Sequence, residues 1–149
     1  MTTYSASTTI HRPAADVWAV IADYERDPDW RTGVETMAPS TSGPAVTGTT
    51  TAEVLHLGGR TYRNGGMVTA IDPGRRLEWR TTSGADANGS RLVEPLGPDA
   101  CTVTMTLDVR FHGSQWVLRP VLGPMLRKGL HRDLSQLASL LERSMACHR

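Results

Sequence analysis

Hydrophobic and polar positions along the chain fall into two alternating textures. From Cys101 to Phe111 the odd positions (Cys101, Val103, Met105, Leu107, Val109, Phe111) are apolar and the even ones (Thr102, Thr104, Thr106, Asp108, Arg110) are polar. That is the period of a strand with one face on a core and the other in water. Leu77, Trp79 and Thr81 alternate in the same way against Glu78 and Arg80, and Thr3–His11 reads as a weaker strand. Turn signals recur at hairpin spacing between such runs: Gly43-Pro44, Gly58-Gly59, Asp72-Pro73-Gly74, Asn88-Gly89 and Gly97-Pro98-Asp99. They predict an antiparallel meander.

The other texture is helical. Pro13 sets a helical φ in a first turn, Asp16 places negative charge near that helix start, and Val17, Trp18, Val20 and Ile21 give an apolar face running through Ala22. The charged run Glu25-Arg26-Asp27 ends this helix, and Pro28 opens a second short turn carrying Trp30. From Leu122 the apolar residues fall at 122, 126, 130, 134, 137 and 141, steps of four and three. This predicts a long amphipathic helix from near Pro124 to about Ser144, with Arg127, His131, Ser135 and Glu142 on its far side. The predicted order is strand, helix, short helix, six strands and a long C-terminal helix.

Composition narrows the picture. A chain of 149 residues is the length of one domain, and 39% apolar content excludes wholesale disorder. A net charge of +1 argues against nucleic acid as a partner, which would require a strongly basic face. The excess of basic residues in 119–149 hints at an acidic partner but is more often a solvated helix face. The opening residues lack the apolar core of a signal peptide, and no stretch is apolar enough to span a membrane, so a cytoplasmic protein without stable membrane insertion is expected. Cys101 and Cys147 match no metal or redox spacing and read as reduced thiols, with a disulfide as the alternative. Histidines 11, 56, 112, 131 and 148 are isolated, so neither a metal nor a cofactor is expected. Nucleophile-elbow, zinc-protease, phosphate-loop and dinucleotide-binding motifs are absent.

One long helix must cover most of the sheet's apolar face. Aromatic residues make up only 5% of the chain, with a single Phe against 14 Gly. A curled sheet so thinly filled leaves a cavity, and apolar cavities hold apolar ligands. The alternative is a core closed by Leu, Met and Trp.

The order of elements, the opening IHRPAADVWAVIADYERDPDW (Ile10–Trp30), the hairpin IDPGRRLEWR (Ile71–Arg80) and the closing GLHRDLSQLASLLE (Gly129–Glu142) resemble the START-like, helix-grip (SRPBCC) superfamily. Within it they look most like the bacterial polyketide cyclase/dehydrase and lipid-transport branch, and the resemblance covers nearly the whole chain. It implies an α+β fold across 1–149: a curved seven-stranded antiparallel sheet gripping the C-terminal helix, two short helices after the first strand, and a cavity for a hydrophobic small molecule. The expected function is a carrier or sensor of a lipid- or polyketide-like molecule; the alternatives are a polyketide cyclase/aromatase/dehydratase-type enzyme and, third, a co-chaperone-like interaction module. Either a monomer or a homodimer fits.

Ligand contact is expected from Trp30, Trp79, Met105, Leu107, Met125, Leu126, Leu130 and Leu134. Core packing is the competing role for each, and the stronger one for Trp18 and Trp30. Asp23 is expected to organise the turn between the two short helices. Tyr62, His56 and Asp133 are the candidate polar anchors or proton-transfer groups. Alternation allows Tyr62 with Asn64, or Arg63 alone, to face inward, and Gly65-Gly66 permits a bulge that leaves this strand unphased. Asp133 lies about 60° from the centre of the apolar stripe, so its carboxylate must pair with an arginine such as Arg132, bond a ligand, or titrate high. Gly129, one turn earlier, suggests close approach of a strand or a ligand. The apolar, proline-interrupted segment Trp116–Leu126 could pack in the core, cover the cavity, or touch lipid during ligand exchange.

Overall fold

The computed structural model describes residues 2–113 and 115–146, with side chains through 143. Strand β1 (Thr2–Ile10) leads into helix α1 (Ala14–Ile21), a single 3-10 turn (Tyr24–Arg26) and the one-turn helix α2 (Asp27–Trp30). Six strands follow: β2 (Val34–Pro39), β3 (Thr50–Leu57), β4 (Arg60–Asp72), β5 (Arg76–Ser83), β6 (Asp86–Gly97) and β7 (Ala100–Arg110). Helix α3 (Gln115–Ala146) closes the chain. The strands form one antiparallel seven-stranded sheet in the order β1-β7-β6-β5-β4-β3-β2. This is the helix-grip arrangement that the resemblance implies.

The alternation read from β7 is realised. Cys101, Val103, Met105 and Val109 are buried against α3 and α1, while the threonines between them are half-exposed. Leu130, Leu134, Leu137 and Leu141 give α3 its buried stripe, each worth roughly 1.5–3 kcal/mol relative to exposure. Arg12 ties the two ends of the chain together, donating to the Leu141 carbonyl at 2.7 Å and to Asp16 at 2.9 Å.

Two expectations are corrected. Asn88-Gly89 is not a turn: both residues lie inside β6, opposite Arg80 and Trp79 of β5, and the β5–β6 turn falls instead at Gly84, whose φ is +84°. Position 89 is glycine because the Trp79 ring lies across it; a Cβ there would stand 2.8 Å from the ring and collide with the Thr106 carbonyl. Helix α3 begins at Gln115, not near Pro124, and carries Pro120 and Pro124 inside it. Both prolines are exposed, so water can take the carbonyls that their missing N–H groups leave free. Cys147 and His148 lie outside the described residues; Cys101 is a buried free thiol, and burial raises its pKa.

Candidate functional site

Between the sheet and α3 lies a mostly apolar cavity of about 230 Å³. Its polarity runs along its length because the elements around it change character together. On α3 the lining passes from Leu122, Met125 and Leu126 through Gly129 to Asp133, and on β3 it passes from Leu57 and Leu55 to Glu53. Met105 and Leu107 of β7 and Trp79 of β5 form much of the wall. Asp86, Arg110 and Gln115 line the end where β7 runs into α3, so hydrocarbon forms the middle of the wall and the deepest polar group lies at the opposite, α2 end.

The charged end is built on α2. Its first residue, Asp27, is fully buried and receives a two-pronged ion pair from Arg91 of β6 (Nη1 to Oδ1 3.0 Å, Nη2 to Oδ2 2.7 Å). Arg91 also donates to the Ile21 carbonyl at 2.9 Å, and its guanidinium is flanked by the rings of Tyr24 (4.5 Å) and Trp30 (5.1 Å). Arg31, one turn after Asp27, donates to Asp27 at 3.0 Å and to Glu53 at 2.9 Å. Glu53 in turn receives the Asn64 amide at 3.3 Å. Asp133 of α3 completes the group, its carboxylate 3.7 Å from Arg31 Nε. Among the described residues Arg31 Nε and the Tyr24 hydroxyl, both at the cavity wall, have no hydrogen-bond partner. Burial works against the charge of Arg31, but Glu53, Asp27 and Asp133 outweigh it and raise its pKa, so it stays protonated.

Asp133 is different. Burial lifts its pKa to about 6, against the opposing pull of Arg31 and a backbone hydrogen bond from Thr32. The native state thus holds this proton more tightly than the unfolded chain, whose carboxylate titrates near 3.8. Its contribution to stability is complete below the unfolded pKa and lost as pH rises through about 6. At about 1.4 kcal/mol per unit the span is on the order of 3 kcal/mol. Asp133→Asn should remove that decline: the difference in unfolding free energy between variant and wild type, from urea titrations, should change between pH 4 and 6.5 and be flat above.

The sequence-derived candidates separate into three groups. Trp79, Met105, Leu107, Met125, Leu126, Leu130, Tyr62 and Asp133 line the cavity. Trp30 and Leu134 are buried in the core outside that lining, and Trp18 packs there too. His56 points out of the sheet, exposed, with its ring nitrogens 2.9 Å from Glu35 and 3.0 Å from Thr61. The strand left unphased is settled: Tyr62 and Asn64 face inward and Arg63 outward, and pairing with β5 does slip between Gly65 and Gly66. Asp133 pairs with Arg31 rather than Arg132, which is exposed. A Cβ on Gly129 would meet nothing within 4 Å, so the glycine opens cavity space rather than admitting a strand. Asp23 accepts from the Glu25 backbone N–H at 3.2 Å and so shapes the turn as expected.

Asp27, Arg31, Glu53 and Arg91 were not singled out by sequence. Arg91 did leave a signal, since it shares its strand phase with Gly89 and Val93, and an arginine in a buried phase requires a carboxylate. No cluster of His, Cys, Asp and Glu among the described residues is placed to hold a metal.

The family model for polyketide cyclase / dehydrase and lipid transport matches residues 1–143. Among solved structures the chain is similar to the Zhui aromatase/cyclase of Streptomyces sp. R1128, at 16% identity over 97% of this chain and 95% of that one, with a TM-score of 0.83. A Thermus thermophilus protein matches at 18% identity over 99% and 100% of the two chains, TM-score 0.81. A START superfamily protein from Mycobacterium smegmatis matches at 19% over 99% of each, TM-score 0.72. At such identities the likeness shows the fold alone. Among curated protein sequences none matches the chain.

Proposed function

The chain belongs to the polyketide cyclase/dehydrase and lipid transport family, and from that premise we propose that it binds a compact, neutral, oxygen-bearing hydrophobic molecule in the cavity, as a carrier or sensor. The observation that carries this reading is a mostly apolar wall that meets a buried polar group at the α2 end, where donors of Arg31 and Tyr24 have no partner among the described residues. Size supports a compact ligand, because an apolar cavity of roughly 150 Å³ takes benzene and this one is about 230 Å³. Charge supports a neutral one. Asp27, Glu53 and Asp133 face Arg31 and Arg91, so the set is balanced with Asp133 protonated and negative with it ionised. A carboxylate or phosphate brought to that end would add negative charge where water is scarce. A ketone or phenol oxygen would instead accept from Arg31 Nε or the Tyr24 hydroxyl.

The test is native mass spectrometry of the purified protein with identification of any co-purifying molecule, followed by calorimetric titration with two matched probes. 2-Naphthol should bind, and 2-naphthoate should bind at least about tenfold more weakly, the worth of one buried charge left uncompensated at about 1.4 kcal/mol. Equal binding of both removes the charge argument, and binding of neither closes the cavity.

A second reading, an enzyme of the cyclase/dehydratase type, draws support from one observation: Asp133, with a pKa of about 6, can give or take a proton near neutral pH beside a guanidinium able to polarise a carbonyl. Under that reading Asp133→Asn would abolish turnover of the co-purified molecule while leaving its binding within a fewfold.

A further inference from the structure

The first turns of α3 are apolar on the side facing away from the protein. Trp116 (51% exposed), Val117 (80%), Leu118 (42%) and Val121 (61%) form a cluster, whereas the described remainder of the helix exposes no large apolar side chain. The inward side of the same turns is fixed. Leu122 and Met125 line the cavity, and Gly123 is seated so closely on β1 that a Cβ would stand 2.8 Å from the Tyr4 hydroxyl. The turn next to the outward cluster is thus packed on its inner side against the cavity and β1.

Charge names the occupant. Residues 115–132 contain Arg119, Arg127, Lys128 and Arg132 and no acidic residue. At about 100° per residue, Val117, Val121, Pro124, Lys128 and Arg132 follow one outward stripe, and all five are exposed. Arg119 lies over the Trp116 ring at 5.2 Å, which keeps a cation at the level of the exposed indole. A Trp and aliphatic cluster bordered by cations fits the interface of an anionic bilayer, where the indole and aliphatic side chains enter the headgroup region and the cations meet phosphates. A second copy fits poorly, because a two-fold contact would bring these cations against their own equivalents.

We propose that this face of α3 docks reversibly on anionic lipid bilayers, next to the helix turns that line the cavity. Four apolar side chains are too few to anchor without the cations, so attachment requires both and is released by salt.

Vesicle co-sedimentation of the ligand-free protein tests this directly, comparing phosphatidylcholine vesicles with vesicles that also contain phosphatidylglycerol. The anionic vesicles should bind at least about tenfold more tightly at low salt, the advantage should vanish at high salt, and Val117→Asp with Val121→Asp should abolish binding. Lys128→Glu with Arg132→Glu should do the same. All four positions are exposed and outside the cavity lining, so naphthol binding should be retained in both variants and confirms their folding. The proposal is overturned by absence of binding to anionic vesicles, by binding that neither pair reduces, or by a dimer in analytical ultracentrifugation that the aspartate pair splits.

Discussion

Replacing Asp27 by alanine is expected to cost about 3–5 kcal/mol of stability, because it strands the charge of Arg91 in a site with no other carboxylate bonded to it. Arg91 is 2% exposed and cannot turn to solvent, and its flanking Tyr24 and Trp30 rings offer polarisable faces but no counter-charge. The double variant Asp27→Leu with Arg91→Met should be markedly less destabilised than the sum of its parts, since removing both charges also removes their desolvation. Arg31 keeps Glu53 as partner in that background. Urea unfolding at neutral pH of wild type, Asp27→Leu, Arg91→Met and the double variant gives the coupling directly. A loss below about 1 kcal/mol for Asp27→Ala would mean that water reaches Arg91 and the pair is not a structural keystone.

The second large effect separates ligand binding from folding. Gly129→Leu should weaken 2-naphthol binding about 100-fold or more, because a side chain grown into the empty volume removes space rather than one contact. Stability should move the opposite way, rising by up to about 1 kcal/mol as a mid-helix glycine is replaced by a strong helix former. A stabilised protein that no longer takes the probe is an outcome that mere structural damage does not produce. Unchanged binding in a stabilised Gly129→Leu protein would place the ligand elsewhere.

Those two variants also mark how far the sequence could be read. The architecture was legible because its burial is periodic: Cys101 to Phe111 and the stripe from Leu122 to Leu141 each state their own partner surface. The apolar cavity wall was legible for the same reason. The polar end was not, since it joins Asp27 of a one-turn helix and Arg31 just after it to Glu53, Arg91 and Asp133 on three distant elements. A charged run such as Glu25-Arg26-Asp27 reads as solvated until something shows that its last member turns inward. Asn88-Gly89 misled for a related reason. The dipeptide has a strong local meaning as a turn, and only the Trp79 ring from the neighbouring strand explains why a glycine stands mid-strand instead. Prolines 120 and 124 argued locally for a later helix start, which the exposure of their side of α3 overrides.

The pairing of β1 with β7 has a consequence in time. Thr2 lies opposite Val109 and Ile10 opposite Cys101, so the first strand made during synthesis has no partner until the seventh has emerged. At roughly 5–20 residues per second a nascent chain waits on the order of 5–20 seconds with that edge open. Thr3, Ser5, Ser7 and Thr9 occupy every outward position of β1. That leaves Tyr4, Ala6 and Ile10 as the buried apolar side chains of β1, so the strand that stays unpaired longest in the sheet offers little hydrophobic surface until β7 arrives.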